Sequence, residues 1–471
     1  MAKAAPRSKS KPKPKTKPKS KPKTKSSPKT KKPRGGGKPG ASAAGAPSGV
    51  TITPYQVGFG DCFLLTFHYG EKNRHVLMDF GTKMRSKVGF KVDMVKNAKQ
   101  IAEDCKVGTD VPGGKLTMVV ATHRHYDHIS GFETKDDGSG SGDIIRKLKP
   151  DLVIQPWTEE PNLPADATAP SDAQKHIRSL VNMQAVADVV THDAAMILKA
   201  RKPKKKDDGT DDKTGDDNAA LTELDYVGGD NITNRKAVEN LMSMAPNKYL
   251  HLGSELDVSD ILPGVTIHVL GPPTIEQATA LKKSLAHYTS SSDEYWKLQA
   301  NVATGVTPTA GSAGLPGHTR DLPPRARWFA SRLRNIREDS MLQIVRSLDK
   351  TINNTSLILL IEVGDKKYLF PGDAQLENWS CALADPKVVD LLSGVNVYKV
   401  GHHGSLNATP KSLWDKFALR KDKKLETFLS THADEYGSVP KDSLVAALKS
   451  DSQLHSTADY KAGQVSAPVD V

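Results

Sequence analysis

Apolar residues along the chain follow two repeat patterns, which predict alternating strands and helices from residue 50 onward. The predicted strands are VTITPYQV, CFLLTFHYG, RHVLMDFG, KLTMVVAT and DLVIQPW, then GVTIHVLGP, TSLILLIEV, KKYLFPG, NVYKVG and ETFLST. The predicted helices lie at 90–106, 171–200, 233–244, 283–299 and 325–346, from Gln375, after Pro410 and after Pro440. Two strand-rich parts with helices between them predict a fold of class α/β (α+β), in which helices cover the sheets.

The N-terminal segment lacks such a pattern. Residues 1–49 contain 16 Lys and Arg and neither Asp nor Glu, and Lys and Pro dominate the first 40. Lysines repel one another and proline removes backbone donors, so we predict a disordered basic tail over 1–49. The segment RKPKKKDDGTDDKTGDDN, at 201–218, is also dense in charge and predicts a mobile loop.

The formal net charge of +13 belongs to this tail. Subtracting its 16 basic residues from 67 leaves 51 Lys and Arg against 54 Asp and Glu, so the remainder is nearly neutral. A polycation neutralises phosphates, which makes the tail segment 1–40 a candidate nucleic-acid contact, together with the Arg-rich segment 325–337. The alternatives are a solubilising tail and a solvated helix face. Protein partners are not predicted.

Hydropathy and cysteine usage bear on the location of the protein. No apolar run reaches the length of a membrane span, and the N-terminus lacks the apolar segment of a secretory signal. The three cysteines are scattered and do not predict a disulfide framework. We therefore expect a cytoplasmic protein of bacterial type.

Histidines and an aspartate cluster after the predicted strand KLTMVVAT. The stretch ATHRHYDHISG contains His123, His125, Asp127 and His128. Alternate residues at a strand end point to one side, so the first two histidines can reach one cation together. The other two residues follow the bend and point to a second position nearby. Imidazole nitrogen and carboxylate oxygen suit zinc, with manganese or iron as alternatives.

The stretch THRHYDHISG resembles the H-x-H-x-D-H signature of the metallo-β-lactamase fold superfamily. VGFGDCFLLTF and HVLMDFG are similar to the opening of its competence DNA-uptake (ComEC-type) branch. NNTSLILLIEVGDKKYLFPGD and VYKVGHHGS resemble later motifs of that branch. The matches lie within 50–450, and most of 135–350 is unmatched. The resemblance implies a four-layer αββα sandwich with a dinuclear site at one edge. The pattern of predicted elements gives a domain at 50–460 with a helical insertion at about 160–345.

The resemblance also implies roles for individual residues. Asp79 would be the buried structural aspartate of the first motif. Asp373 would bridge two cations about 3.5–4 Å apart. His402 or His403 would complete the shell of the second metal, and the other would contact the substrate or orient a ligand. His318, in GLPGHTR, matches the Pro-Gly-His-Thr of the superfamily's third motif and is a candidate ligand of the first metal.

These motifs predict a hydrolase that uses two divalent cations, zinc or manganese, to lower the pKa of a shared water from 15.7 towards about 7. Asp127, His402 and His403 are the predicted catalytic residues, with Asp127 orienting the hydroxide. Phosphodiesters of DNA or RNA are the predicted substrates. One alternative is a hydrolase of small esters, lactones or β-lactams. Another is a non-catalytic nucleic-acid-binding protein, although structural zinc is usually closed by four Cys or His ligands.

Overall fold

Two mixed β-sheets organise the chain. The computed structural model describes residues 45–83, 92–160, 234–274, 277–278, 352–432 and 439–471, all within one unit, Ser42–Val471. The strands in these ranges are β1 (Val50–Pro54), β2 (Cys62–Tyr69), β3 (Lys72–Phe80), β4 (Met118–Val120), β5 (Leu152–Pro156), β6 (Asn247–Leu250), β7 (Val265–Gly271), β8 (Ile358–Val363), β9 (Lys366–Phe370), β10 (Val397–Lys399), β11 (Glu426–Leu429), β12 (Gln453–Ser456) and β13 (Val469–Asp470). The mixed content confirms the predicted class, α+β.

Each sheet has an antiparallel part and a parallel part. The first sheet has the order β13-β1-β2-β3-β4-β5-β6, and its strands are parallel from β3 to β6. The second sheet has the order β12-β11-β10-β9-β8-β7, and its strands are parallel from β12 to β9. Parallel neighbours place their carboxyl ends at the same edge of a sheet, which is where both sheets carry their polar motifs.

Helices connect the parallel strands. The α-helices of the described ranges are α1 (Met94–Asp104), α2 (Tyr126–Ile129), α3 (Ser141–Lys147), α4 (Arg235–Met244), α5 (Leu376–Ala382), α6 (Pro386–Ser393), α7 (Lys411–Trp414) and α8 (Asp442–Asp451). Short 3-10 turns lie at Ser130–Phe132, Trp157–Glu159, His402–Gly404, Ala418–Asp422 and Thr457–Asp459. Side-chain caps fix three of the starts: Asp93 caps α1, Asn234 caps α4, and Asp385 precedes the N-terminal proline of α6.

Three apolar clusters hold the elements together. The central cluster joins residues of both sheets, such as Phe63 and Leu65 of β2 with Leu359 and Ile361 of β8. The intervening residues of each strand face the other way, as the strand pleat requires. Those of the first sheet pack with α1, α3 and α4, and those of the second sheet pack with α5, α6, α7 and α8. Both faces of each sheet are therefore buried, which explains the nearly continuous apolar runs in the strand sequences.

Some predicted elements differ in length from the observed ones. The predicted strand KLTMVVAT yields only Met118–Val120, because the backbone N–H of Thr122 donates to Asp79 instead of a neighbouring strand. Strands β6, β12 and β13 were not predicted; they have four residues or fewer and carry no clear alternation. Strand β13 also places residues beyond the predicted domain end at 460 in the first sheet, beside β1.

The expected helical insertion at about 160–345 is not confirmed. Within it the structure describes 234–274 and 277–278, where α4, β6 and β7 lie. Strand β6 pairs with β5, and β7 pairs with β8, so each sheet takes an edge strand from this region. The strand β7 was predicted as GVTIHVLGP, whereas β6 was not, because its four residues NKYL show no clear alternation.

Several predictions lie outside the described residues. They concern the tail up to residue 44, the helices at 171–200, 283–299 and 325–346, the charged loop at 201–218, His318 and the Arg-rich segment 325–337. Among the described helices, none has both the length and the apolar character that a bilayer crossing requires.

Candidate metal centre

The polar motifs of both sheets meet at one edge. The first sheet contributes the turn after β4, which carries His123 to His128, and the second contributes Asp373 after β9 and the His402–His403 pair after β10. A backbone hydrogen bond of 2.9 Å from Leu357 N to Thr122 O joins the two sheets there. The structure therefore brings together the predicted ligands that lie in the described residues.

Two glycines allow the turn to approach the first sheet closely. A Cβ atom on Gly81 would lie 2.3 Å from the carbonyl carbon of Asp127, and one on Gly60 would lie 2.3 Å from Gly81 O. In this space the backbone N–H of Asp61 donates to Asp127 O at 2.9 Å. Glycine is thus required beside the turn because any side chain would displace it.

Asp79 fixes the start of the turn and one histidine. Its carboxylate accepts Thr122 N–H and Oγ1–H, both at 2.7 Å, and His128 Nδ1–H at 2.8 Å. Burial raises the pKa of Asp79 above 3.8, while the charge and hydrogen bond of His128 act in the opposite direction. Asp79 also has a positive φ of 53°, a strained conformation that its three hydrogen bonds stabilise. These contacts agree with the structural role that the resemblance implied.

The Nε2 atom of His128 faces a second carboxylate. Since Nδ1 donates to Asp79, Nε2 carries the lone pair in the neutral ring. This atom lies 3.1 Å from Asp373 Oδ2, and neither atom makes a hydrogen bond of good geometry among the described residues. Two lone pairs facing each other require a proton or a cation between them.

His403 has the same arrangement. Its Nδ1–H donates to the carbonyl oxygen of Ser430 at 2.9 Å, and its Nε2 lies 2.9 Å from Asp127 Oδ2. The ring packs on Phe59 with a centroid separation of 4.2 Å. His403 and His402 both have positive φ angles, 49° and 45°, so the backbone is strained at the site itself.

The charges of these groups depend on one another. Burial lowers the pKa of His128, but Asp373, Asp79 and Asp127 outweigh it and hold that pKa well above 6.5. Burial also lowers the pKa of His403, and the hydrogen bond to Asp127 leads the contributions that raise it overall. In the metal-free protein both rings therefore bind protons more strongly than a free histidine does.

The pKa values of the two carboxylates that face these rings are shifted downward. Burial raises the pKa of Asp127, but His128 and His403 outweigh it and hold that pKa well below 3.8. Burial likewise raises the pKa of Asp373, and His128, followed by His402 and Lys399, brings it well below 3.8. Both side chains are therefore ionised at neutral pH.

His123 and His125 lie beside this group. Both are buried, and His123 Nε2 is 3.0 Å from His125 Nδ1. The His123 ring also packs against His128, with centroids 4.1 Å apart. Burial, followed by the charges of His128 and His125, holds the pKa of His123 well below 6.5, so this ring is neutral.

His402 differs from the other members in its exposure. Its side chain is 25% exposed, whereas those of Asp373 and His403 are 1% and 0% exposed. Its backbone N–H donates to Asp373 Oδ1 at 3.0 Å, and its Nε2 lies 3.9 Å from Asp373 Oδ2. Within the described residues, the site therefore opens to solvent beside His402.

The donor atoms of one group can hold a metal ion. One ligand atom each from Asp127, His128, Asp373 and His403 lies within 4.8 Å of the others, and all four residues are buried. Among the described residues, Oδ1 of Asp127 has no hydrogen-bond partner. Buried carboxylates with free lone pairs are costly unless a cation or donor satisfies them, so the donor set fits a divalent metal.

Sequence reasoning missed two residues of the site, Asp61 and Lys399. Both are buried at 0% and 2% exposure, and they contact each other directly. A lysine inside the apolar run VYKVG was a detectable signal, because a buried ammonium needs a carboxylate partner. Asp61, in the Gly-Asp of the GFGD turn, had no comparable signal.

Two other histidines of the described residues, His268 and His251, lie outside the donor group. His268 Nε2–H on β7 donates to the Glu362 carboxylate at 2.7 Å, and His251 contacts the backbone oxygen of Leu252. Neither belongs to the donor group.

No protein-family model matches this chain, and no curated protein matches it significantly. Its function is therefore inferred from the residues of the site.

Proposed function

We propose that this chain is a metal-dependent hydrolase that binds two divalent cations, zinc or manganese, and cleaves phosphodiesters. The observation that carries the proposal is the meeting of Asp127 and His128 from one sheet with Asp373 and His403 from the other, with donor atoms within 4.8 Å. His123 and His125 lie directly beside them, and their donors suit the other cation.

The proposal includes the metallo-β-lactamase fold. The central cluster contains residues of both sheets, and each of the other clusters joins the outer face of one sheet to helices. This order supports the four-layer αββα sandwich that the sequence motifs imply. A site at the carboxyl ends of the parallel strands also suits such a sandwich.

Each residue would take a defined role. His128 and His403 would hold a cation through Nε2, because Asp79 and the Ser430 carbonyl engage their Nδ1 atoms. Of the His402–His403 pair, the proposal thus assigns His403 as the ligand. His402, at the opening, would contact the leaving oxygen of the substrate.

The bound cations would supply hydroxide at neutral pH and neutralise charge that develops on the substrate. Asp127 would orient the attacking oxygen through its unpaired Oδ1. The same carboxylate would also accept the proton released there. These roles need neither a serine nor a cysteine nucleophile.

The substrate class follows from charge and sequence resemblance. The competence-type motifs, the Lys-rich segment 1–40 and the Arg-rich segment 325–337 all suit a polyanion. Phosphodiesters in DNA or RNA combine that polyanion with a bond that two-metal sites cleave.

The test is a nuclease assay of the full chain with plasmid, single-stranded DNA and RNA, each with Mn²⁺ or Zn²⁺. We expect cleavage by the wild type and a loss of at least about 100-fold for His123→Ala and Asp127→Ala, since each removes a ligand or the orienting carboxylate. His268→Ala is the matched control, because this histidine pairs with Glu362 away from the donor group. Intact nucleic acid in every wild-type reaction would rule out the nuclease proposal.

A second candidate is a hydrolase of small esters, lactones or β-lactams. The observation that favours it is the near-neutral remainder of the chain, with 51 basic and 54 acidic residues outside the tail. Turnover of nitrocefin or a simple lactone, with no cleavage of nucleic acid, would select this candidate. Deletion of residues 1–49 also distinguishes the two candidate functions. It should weaken nucleic-acid binding and leave the turnover of small substrates unchanged.

A further inference from the structure

Lys399 and Asp61 form a buried ion pair next to Asp373. The ammonium of Lys399 contacts Asp61 Oδ2, and it lies 3.1 Å from Gly372 O and 3.5 Å from Asp373 Oδ1. The ammonium donates a hydrogen bond to Gly372 O and forms ion pairs with the carboxylates of Asp61 and Asp373. Lys399 and Asp61 are 2% and 0% exposed, so solvent screens their charges little.

The two oxygens of Asp373 have different surroundings. Oδ1 accepts the backbone N–H of His402 at 3.0 Å and faces Lys399 at 3.5 Å. Oδ2 instead faces Nε2 of His128 at 3.1 Å and Nε2 of His402 at 3.9 Å. The protein therefore holds one oxygen and directs the other into the donor group.

A lone ammonium at this position would oppose cation binding. At 3.5 Å from a metal-binding carboxylate, it would repel a divalent ion and neutralise the ligand. Asp61 balances that charge, since its carboxylate contacts the same ammonium. The pair thus supplies a hydrogen bond to Gly372 O and a charge contact to Asp373 Oδ1 without adding net charge.

We propose that Asp61 and Lys399 are positioning residues that orient Asp373 Oδ2 toward the cation. This inference rests on the proposed metal site. Lys399 anchors the 372–373 backbone and Oδ1, and Asp61 prevents Lys399 from competing with the metal. Neither residue contacts the substrate. Outer partners of this kind typically change metal affinity by about 10–100-fold.

The test measures Zn²⁺ binding by calorimetry on the chelator-treated full chain. The variants are Asp61→Asn and the double variant Asp61→Asn/Lys399→Met, which removes both charges and avoids an uncompensated buried carboxylate. We expect the double variant to bind zinc about 10–100-fold more weakly than the wild type, because Asp373 loses its anchor. Asp61→Asn should bind more weakly still, because its unbalanced ammonium competes with the cation.

A control separates this role from general destabilisation. Tyr55→Phe removes a half-buried hydrogen bond to Asp104, which lies outside the site, so it should lower the melting temperature and leave zinc affinity unchanged. Wild-type affinity in the double variant, or tighter binding by Asp61→Asn than by the double variant, would overturn the proposal. If the wild type itself binds no cation, the proposed function fails instead, so the two failures are distinguishable.

Discussion

At the residue scale, the site is controlled by the hydrogen bonds behind its imidazoles. Asp79 and the carbonyl oxygen of Ser430 fix the Nδ1 protons of His128 and His403. Their Nε2 atoms then face Asp373 and Asp127 at 3.1 and 2.9 Å. A proton and a bound metal ion would therefore compete for the same two lone pairs.

This competition predicts opposite pH dependences with and without metal. The pKa values of His128 and His403 are raised above 6.5, so their contribution to stability is complete below 6.5 and is lost as the pH rises through the folded values. Asp127 and Asp373 have lowered pKa values, so their contribution to the free energy of unfolding is complete above about pH 3.8. It therefore does not change with pH near neutrality. The metal-free free energy of unfolding should thus fall from pH 6.5 upward, whereas zinc affinity should rise.

Urea unfolding between pH 6.5 and 8, with chelator or with zinc, measures both trends. His403→Gln should flatten the metal-free slope, and Tyr55→Phe, which removes no group that titrates in this range, should keep it. A metal-free stability that does not change over this range would contradict the charge assignment.

At the element scale, the close contact of the 123–128 turn with the first sheet positions the ligands. Helix α2 has only four residues, so its own hydrogen bonds cannot fix it. The backbone of Asp61 and the bare Cα atoms of Gly60 and Gly81 hold it instead. The glycines in the GFGD and DFG stretches therefore serve the site through packing.

Substitution at these glycines should act on both stability and metal binding. In Gly81→Ala the new Cβ would lie 2.3 Å from Asp127, so the turn must move. We expect a loss of about 1–3 kcal/mol in the free energy of unfolding, as for other overpacked sites, and weaker zinc binding. Gly49→Ala is the matched control, because a Cβ there meets no atom within 4 Å. Equal zinc affinity in Gly81→Ala and the wild type would show that the turn tolerates displacement.

At the scale of the whole molecule, the donor group spans two sheets that are distant in sequence. Asp127 and His128 follow β4, while Asp373 and His403 follow β9 and β10. A cation held by all four would therefore cross-link the two sheets. Binding to the folded state alone would stabilise it by mass action.

This cross-link predicts a metal-dependent rise in stability. Zinc at 100 times its dissociation constant should add about 2.7 kcal/mol to the free energy of unfolding. Asp373→Asn should remove most of that increment, because the second sheet loses a ligand, whereas Asp365→Asn, on the exposed turn between β8 and β9, should retain it. Thermal unfolding over a zinc titration measures the increment. An unchanged increment in Asp373→Asn would exclude the carboxylate as a ligand.

The sequence by itself determined the mixed class, most of the longer strands and the ligand types in the H-x-H-x-D-H turn. These features depend on local repeat patterns and on the chemistry of adjacent residues, which a single sequence contains. The positions of the short strands β6, β12 and β13 did not follow from it, because two to four edge residues carry no periodic signal.

Only the tertiary structure decided which distant residues share the site and how each is held. It placed His403 against Asp127 across 276 residues and left His402 at the opening. It also revealed Asp61 and Lys399, whose roles arise from contacts between the two sheets. Such contacts depend on the packing of the central core, and no spacing along the chain encodes the distance between atoms that the fold brings together.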